Sequence, residues 1–329
     1  MSDHSAARKL DPREEHFRIP GPREELSLFL RFLPADPTSP SRGTVLYIHG
    51  GTFPSALSIA HRFDGTSWRD VLNEAGFDVW GLDFYGFGHS DRYFEMNQPS
   101  QDNGPLGAAQ DAAQQIEAAV RFILAHQRIE KLSLVSHSWG SMPTGIFASA
   151  FPALLDRLVF FAPIARREPP HNQALPTLPA WRIVTPEDQW KRFAEDVPVN
   201  EPPVLSRVHF AEWSEFYLDS DPESRSRHPA GVKTPLGPAS DILKAWHGEL
   251  AYDPAEIRSP VAIIRGEWDG LMRDDDASWL FNAFRHAPVK RDIKIGRGTH
   301  LMHLETTRLA LWRESVCFLQ GDDLATLPA

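Results

Sequence analysis

One cysteine stands in 329 residues, so Cys317 has no partner for an internal disulfide. A chain of this length needs no such staple, because it can bury a substantial core. Uninterrupted apolar stretches stop short of the roughly 18 residues that a membrane-crossing helix requires. The opening residues, Met1-Ser-Asp-His-Ser-Ala-Ala-Arg-Lys-Leu10, lack the apolar segment of a secretory signal. Long basic runs are missing too: 34 Lys and Arg stand against 44 Asp and Glu, a net charge of −10. That balance argues against nucleic acid or an anionic membrane as a partner, and its plain consequence is solubility. The chain reads as a soluble, cytoplasmic protein without a membrane span. Cys317 lies within Leu311-Trp-Arg-Glu-Ser-Val-Cys-Phe-Leu319, where the apolar company predicts a buried structural thiol.

What is present is an alternation of short apolar runs with helix-compatible stretches. Residues 17–20 and 26–34 read as two strands broken by Pro20-Gly-Pro-Arg23, an antiparallel edge. Strands are then expected at 44–48, 78–83, 132–135 and 157–162, with helices near 68–75, 106–126 and 142–150. The texture changes between Pro163 and Pro238, which hold 13 of the 28 prolines together with Trp181, Trp190 and Trp213. Proline at that density does not continue a central sheet. Strands at 261–265 and 290–295 and helices at 276–284 and 306–319 resume the alternation. The expected fold class is therefore α/β, a mostly parallel sheet with helices on both faces. Residues 16–165 and 249–322 form its core domain, 166–248 an inserted cap, and 1–15 a loose N-terminal segment. Reactive groups belong in loops beyond the strands' C-terminal ends.

Three such loops carry chemistry. Ser136-His-Ser-Trp-Gly140 follows the apolar run 131–135 and precedes a helix, so Ser138 sits where a strand turns sharply into a helix. Small residues two before and two after it suit a crowded elbow, with Ser136 in place of the usual glycine. Gly266-Glu-Trp-Asp269 puts a carboxylate past one strand, and Gly296-Arg-Gly-Thr-His300 puts an imidazole past the next. A serine hydroxyl needs a base, and the base needs an acceptor to fix its tautomer. Ser138, Asp269 and His300 supply these in nucleophile–acid–base order, 131 and 31 residues apart. His303 competes as base but lies a turn into the expected helix, and His137 reads as packing support. Two histidines without a third placed ligand do not make a metal site.

Acyl chemistry also needs amides for a developing oxyanion. Trp139, after the nucleophile, is one candidate; Gly51, with Thr52 close behind, is the other, in His49-Gly-Gly-Thr-Phe-Pro54. The glycines of Asp83-Phe-Tyr-Gly-Phe-Gly-His-Ser90 permit a tight turn of architectural purpose. In the cap, Trp181 and Trp213 are candidate substrate contacts, or else rings that anchor a thin lid. The loop 93–107 is expected near the entrance.

Taken together, His49-Gly-Gly51, Asp83-x-x-Gly-x-Gly-x-Ser90, Ser136-x-Ser-x-Gly140, Gly266-x-x-Asp269 and Gly298-x-His300 resemble the α/β-hydrolase superfamily from residue 46 to 319, apart from the cap. The resemblance implies an eight-stranded, mostly parallel sheet, a helical cap after the sixth strand, and no cofactor or metal. It further implies a serine hydrolase acting on an ester, lactone, thioester or amide of a small acyl substrate. Serine at 138 is unlike the dehalogenase and epoxide hydrolase members, which carry aspartate there. Ser138-Trp-Gly-Ser141 also looks like the prolyl aminopeptidase branch, for which Glu201, Glu212 and Glu215 are candidate amine-binding carboxylates. An acyltransferase with the same triad and a non-catalytic receptor on the same fold are the remaining alternatives, and oligomeric state is not legible.

Overall fold

The computed structural model describes residues 7–38, 40–168 and 174–321. Strands β1 (Glu15–Pro20) and β2 (Ser27–Leu33) open the chain, followed by β3 (Gly43–Ile48) and helix α1 (Trp68–Glu74). Then come β4 (Phe77–Asp83), α2 (Ala109–Gln127), β5 (Leu132–His137), α3 (Ser141–Ala150) and β6 (Leu155–Phe161). The insertion holds β7 (Trp181–Val184), α4 (Pro186–Ala194), α5 (Arg207–Asp219), β8 (Val232–Pro235) and α6 (Gly237–Ala245). The chain returns to the sheet with β9 (Val261–Gly266), α7 (Asp274–Ala283), β10 (Lys290–Ile295) and α8 (Arg308–Gln320).

Eight strands form one sheet in the order β1-β2-β4-β3-β5-β6-β9-β10. The pairings β1–β2 and β2–β4 are antiparallel, and every later pairing is parallel. Alternation along each strand feeds two apolar layers. Leu134, Leu158 and Phe160 face the layer under α2 and α3, while Val135, Val159 and Phe161 face the layer under α1 and α8. Both faces are buried, which is why these strands are continuously apolar.

The cap departs from expectation in one respect. It is helical as foreseen, but β7 and β8 pair antiparallel into a separate two-stranded ribbon. Proline does not prevent the helices either: Pro186 occupies the first turn of α4, where its missing N–H is harmless, behind a Thr185–Asp188 capping box. A third apolar cluster seats the cap. It joins Phe193, Phe210, Trp213 and Tyr217 to Phe53 and Leu57 after β3 and to Leu301 and Leu304 after β10.

Two expectations are corrected. Within the segment expected to be loose, Glu14 is fully buried and takes ion pairs from Arg31 and Arg69, each at 2.6 Å. An apolar-poor stretch is ordered here by charge, a signal that hydropathy cannot carry; residues 1–6 lie outside the described residues, as do 169–173 of the cap and residue 322. Cys317 is exposed rather than buried. Helix α8 buries Leu311, Trp312, Ser315, Phe318 and Leu319, and the helical turn leaves 317 on the opposite side. Among the described residues no helix is long and apolar enough to cross a membrane.

Candidate active site

Strand β5 ends at His137, and Ser138 adopts φ +55, the left-handed region that costs a non-glycine residue about 1–3 kcal/mol. A 3-10 turn over Ser138–Gly140 then runs straight into α3. Gly140 is required because a β-carbon there would collide with the carbonyl oxygen of His49 and lie 3.0 Å from that of Ile48. Ser136 lies inside β5 with no positive φ, so a serine serves where the usual motif has glycine.

The Ser138 hydroxyl lies 2.6 Å from His300 Nε2. His300 Nδ1 in turn lies 2.9 and 3.0 Å from the two carboxylate oxygens of Asp269. Asp269 Oδ1 also accepts the backbone N–H groups of Leu271 at 2.9 Å and Met272 at 3.0 Å, which keep the carboxylate in place. An Nδ1–H donating to Asp269 leaves the Nε2 lone pair facing the serine O–H. All three residues are buried.

The His300 loop is held from several sides. His137 donates Nε2–H to the His300 carbonyl at 3.0 Å. Thr299 donates its N–H to Glu305 at 3.0 Å and its hydroxyl to the other oxygen of the same carboxylate. Burial pushes Glu305 up to about 7 even though both Thr299 donors favour its anion. The acid and base loops are laced together as well, with Trp268 N–H donating to Gly298 O at 2.9 Å. His303 is fully buried in a short 3-10 turn, and burial, then the neighbouring His300 and His61, lower it to about 3. It is a neutral packed ring stacked on Phe53.

The loop after β3 is pinned by His49. Its Nδ1–H donates to Gly50 O at 2.6 Å, and its Nε2 accepts Phe84 N–H at 3.1 Å, so the ring is neutral, as its burial also demands. Gly51 follows against the cap, where a β-carbon would approach Pro238 to 2.9 Å and Trp139 to 4.0 Å. Trp139 lies in the first turn beyond Ser138, among the helix N–H groups that have no intrahelical acceptor. Beneath, Asp83 accepts from Ser55 N–H and hydroxyl and from His89 N–H, while Gly86 and Gly88 take φ +84 and +51.

The family model for the alpha/beta hydrolase fold matches residues 43–307. The chain belongs to the α/β-hydrolase family. A search of curated proteins returns no match. Among solved structures, this α/β-hydrolase is similar to the thioesterase domain from the curacin biosynthetic pathway, at 16% identity, with 93% of this chain and 99% of that one covered and a TM-score of 0.58. The monoacylglycerol lipase of Paleococcus ferrophilus aligns at 18% identity over 89% and 98% of the two chains, with a TM-score of 0.55. An epoxide hydrolase from Vigna radiata aligns at 13% identity over 94% and 98%, with a TM-score of 0.58. Likeness at these identities establishes the hydrolase fold.

The cap tryptophans are both tied into the fold by their side chains. Trp213 is fully buried, stacks on Tyr217 and donates Nε1–H to Leu57 O at 2.9 Å. Trp181 donates to Gln98 O at 3.2 Å and lies under the Lys233 ammonium. Both rings help fasten the cap. The same bonds tie down the loop 93–107, with Lys233 Nζ donating to Met96 O at 2.7 Å. The three cap glutamates are engaged elsewhere. Glu201 pairs with Arg297 and Glu215 with Arg225, while Glu212 borders a cavity of about 400 Å³ against Arg8, His61 and Phe216 that includes no triad residue.

Sequence reasoning missed three carboxylates that do reach the site: Glu305, Asp241 and Asp196. Asp241 Oδ2 accepts Trp139 Nε1–H at 2.9 Å and Ala109 N–H at 2.7 Å. None sits in a motif, and two arrive from the cap, so only the folded arrangement reveals them.

Proposed function

We propose that the protein is a serine hydrolase that cleaves a carboxylic ester, lactone or related acyl bond through an acyl-enzyme on Ser138. The observation that carries this reading is the unbroken chain from Ser138 Oγ through His300 to Asp269, with contacts of 2.6 and 2.9 Å.

His300 Nε2 removes the hydroxyl proton as Oγ attacks the substrate carbonyl, and Asp269 stabilises the imidazolium that forms. The Trp139 amide and the Gly51 amide, or that of Thr52 beside it, hold the tetrahedral oxyanion. The imidazolium then protonates the leaving oxygen, which departs and leaves the acyl group on Ser138. Water attacks the ester and gives its proton to His300, and the second tetrahedral intermediate collapses as the imidazolium returns that proton to Ser138 Oγ, releasing the acid and free serine. Atoms and charge balance without a cofactor.

The likeness to a thioesterase and a lipase favours acyl substrates, as does a serine at the elbow. A panel of short and long acyl esters, lactones, thioesters and aryl amides tests the proposal. Turnover of at least one class, lost by several orders of magnitude in Ser138→Ala and His300→Ala, is the expected result. Undiminished turnover in Ser138→Ala overturns it. Adding alcohols or amines as acceptors separates hydrolysis from acyl transfer.

A further inference from the structure

The segment that leaves β6 for the insertion carries Arg167, a side chain with no part in the mechanism above. Its backbone N–H donates to Ala245 O at 3.0 Å, which ties the chain entering the insertion to the last residue of α6. Its guanidinium lies over the Trp246 ring at 4.4 Å and is anchored by Asp276 in the first turn of α7. Arg167 Nε lies 3.0 and 3.2 Å from the two Asp276 carboxylate oxygens, and Nη2 lies 2.6 Å from Oδ2. The same Oδ2 accepts Arg273 N–H at 2.9 Å, and both paired side chains are largely withdrawn from solvent. A planar fork held in this way has little freedom.

Nη2 also reaches past Asp276 to the acid loop, donating to Leu271 O at 3.0 Å and lying 3.5 Å from Gly270 O. These carbonyls belong to the peptide units 271–272 and 270–271. The N–H ends of the same two units, on Met272 and Leu271, are the donors that hold Asp269 Oδ1, at 3.0 and 2.9 Å. A peptide unit is planar and, when trans as both of these are, points its C=O and N–H in opposite directions. Holding the carbonyl end therefore fixes where the amide end points. A cation at the carbonyl also polarises the unit and strengthens its N–H as a donor. Arg167 thus bears on Asp269 through two rigid units without touching it.

We infer that Arg167 is a positioning residue that orients Asp269 through the peptide units 270–271 and 271–272, and so couples the root of the cap to the acid loop. The inference rests on Asp269 and His300 acting as acid and base in the reaction proposed above. The ion pair with Asp276 by itself accounts only for stability of the α7 terminus; the bond to Leu271 O carries the further role.

Arg167→Met removes the fork and keeps a long stem over Trp246. The expected result is a fall in kcat of about 10–10²-fold with KM changed far less, the loss that a small misplacement of a catalytic group produces. The decisive readout needs no substrate: the His300 Nδ1 signal in NMR of protein carrying nitrogen-labelled histidine, assigned by its loss in His300→Gln. Asp269→Ala gives the position of that signal when the ring has lost its carboxylate acceptor. In Arg167→Met the signal should move toward that reference, and a signal that stays at the wild-type position overturns the inference. A side chain that only stabilises the fold lowers the urea midpoint and leaves the ring signal of the folded protein where it was. If the methionine variant does not fold, Arg167→Lys carries the same test, because it keeps a cation beside Asp276 but has no planar fork to span that carboxylate and Leu271 O together. If the signal moves while Ser138 proves unreactive toward the ester panel, the coupling stands and the hydrolase reading falls.

Discussion

Asp241 of the cap helix α6 accepts the indole N–H of Trp139, the residue that follows the nucleophile, at 2.9 Å. The same carboxylate oxygen accepts the first amide of α2, from Ala109, at 2.7 Å. One buried side chain thus ties the cap to the elbow and to a core helix, and burial raises its pKa against the pull of those two donors. Asp241→Ala strands two buried N–H groups and is expected to lower stability by about 1–3 kcal/mol, while Asp241→Asn keeps an acceptor and loses less. Urea denaturation of the two variants checks the ordering.

Asp269 fixes the tautomer of His300. Asp269→Asn offers an amide N–H to the ring in some orientations and turns the imidazole toward the wrong protonation pattern. The expected loss in kcat is on the order of 10⁴, with KM changed far less, the effect such a substitution has in a serine–histidine–aspartate triad. Steady-state kinetics on the best substrate from the ester panel reads this directly.

Acid should destabilise the fold from just below neutrality. Burial is the main cause that lowers His303 to about 3 and His61 to about 4, and it holds His137 well below its ordinary value. The unfolded chain therefore takes up these protons first, near pH 6.5. Stability is fully present above that pH and falls below it, by up to about 1.4 kcal/mol per pH unit for each ring. Glu305 opposes one of them: its raised value, about 7, makes the folded state the better proton acceptor between about pH 7 and its unfolded value. Denaturation free energies at pH 7 and pH 5 measure the net slope, and His303→Phe should make it shallower.

Cys317 should react with a thiol reagent in the native state, because its helix face is open to solvent. One equivalent consumed without denaturant is the expected result. Consumption only after unfolding contradicts the placement.

The sheet and the convergence of Ser138, Asp269 and His300 were legible from residues alone, and the reasons are physical. Strand periodicity and Gly-bearing loops mark where β5, β9 and β10 end, and β10 spans Lys290–Ile295 as expected. Ser138, Asp269 and His300 each follow such an end, so the parallel topology brings them together. Cap detail was not legible. Trp213 looks the same in a sequence whether it walls a pocket or fills a core, and Asp196 and Asp241 have no spacing that announces their partners. Glu14 and Cys317 failed for the opposite reasons: the first is buried by its arginines, and the second is apolar in its neighbours but faces outward.

The most direct test of the central claim is covalent. A base-activated serine oxygen attacks the phosphorus of a fluorophosphonate and displaces fluoride, so intact-mass and peptide mapping after treatment should show one adduct, on Ser138, abolished in His300→Ala. An unlabelled protein, or label on another residue with Ser138 untouched, contradicts the account.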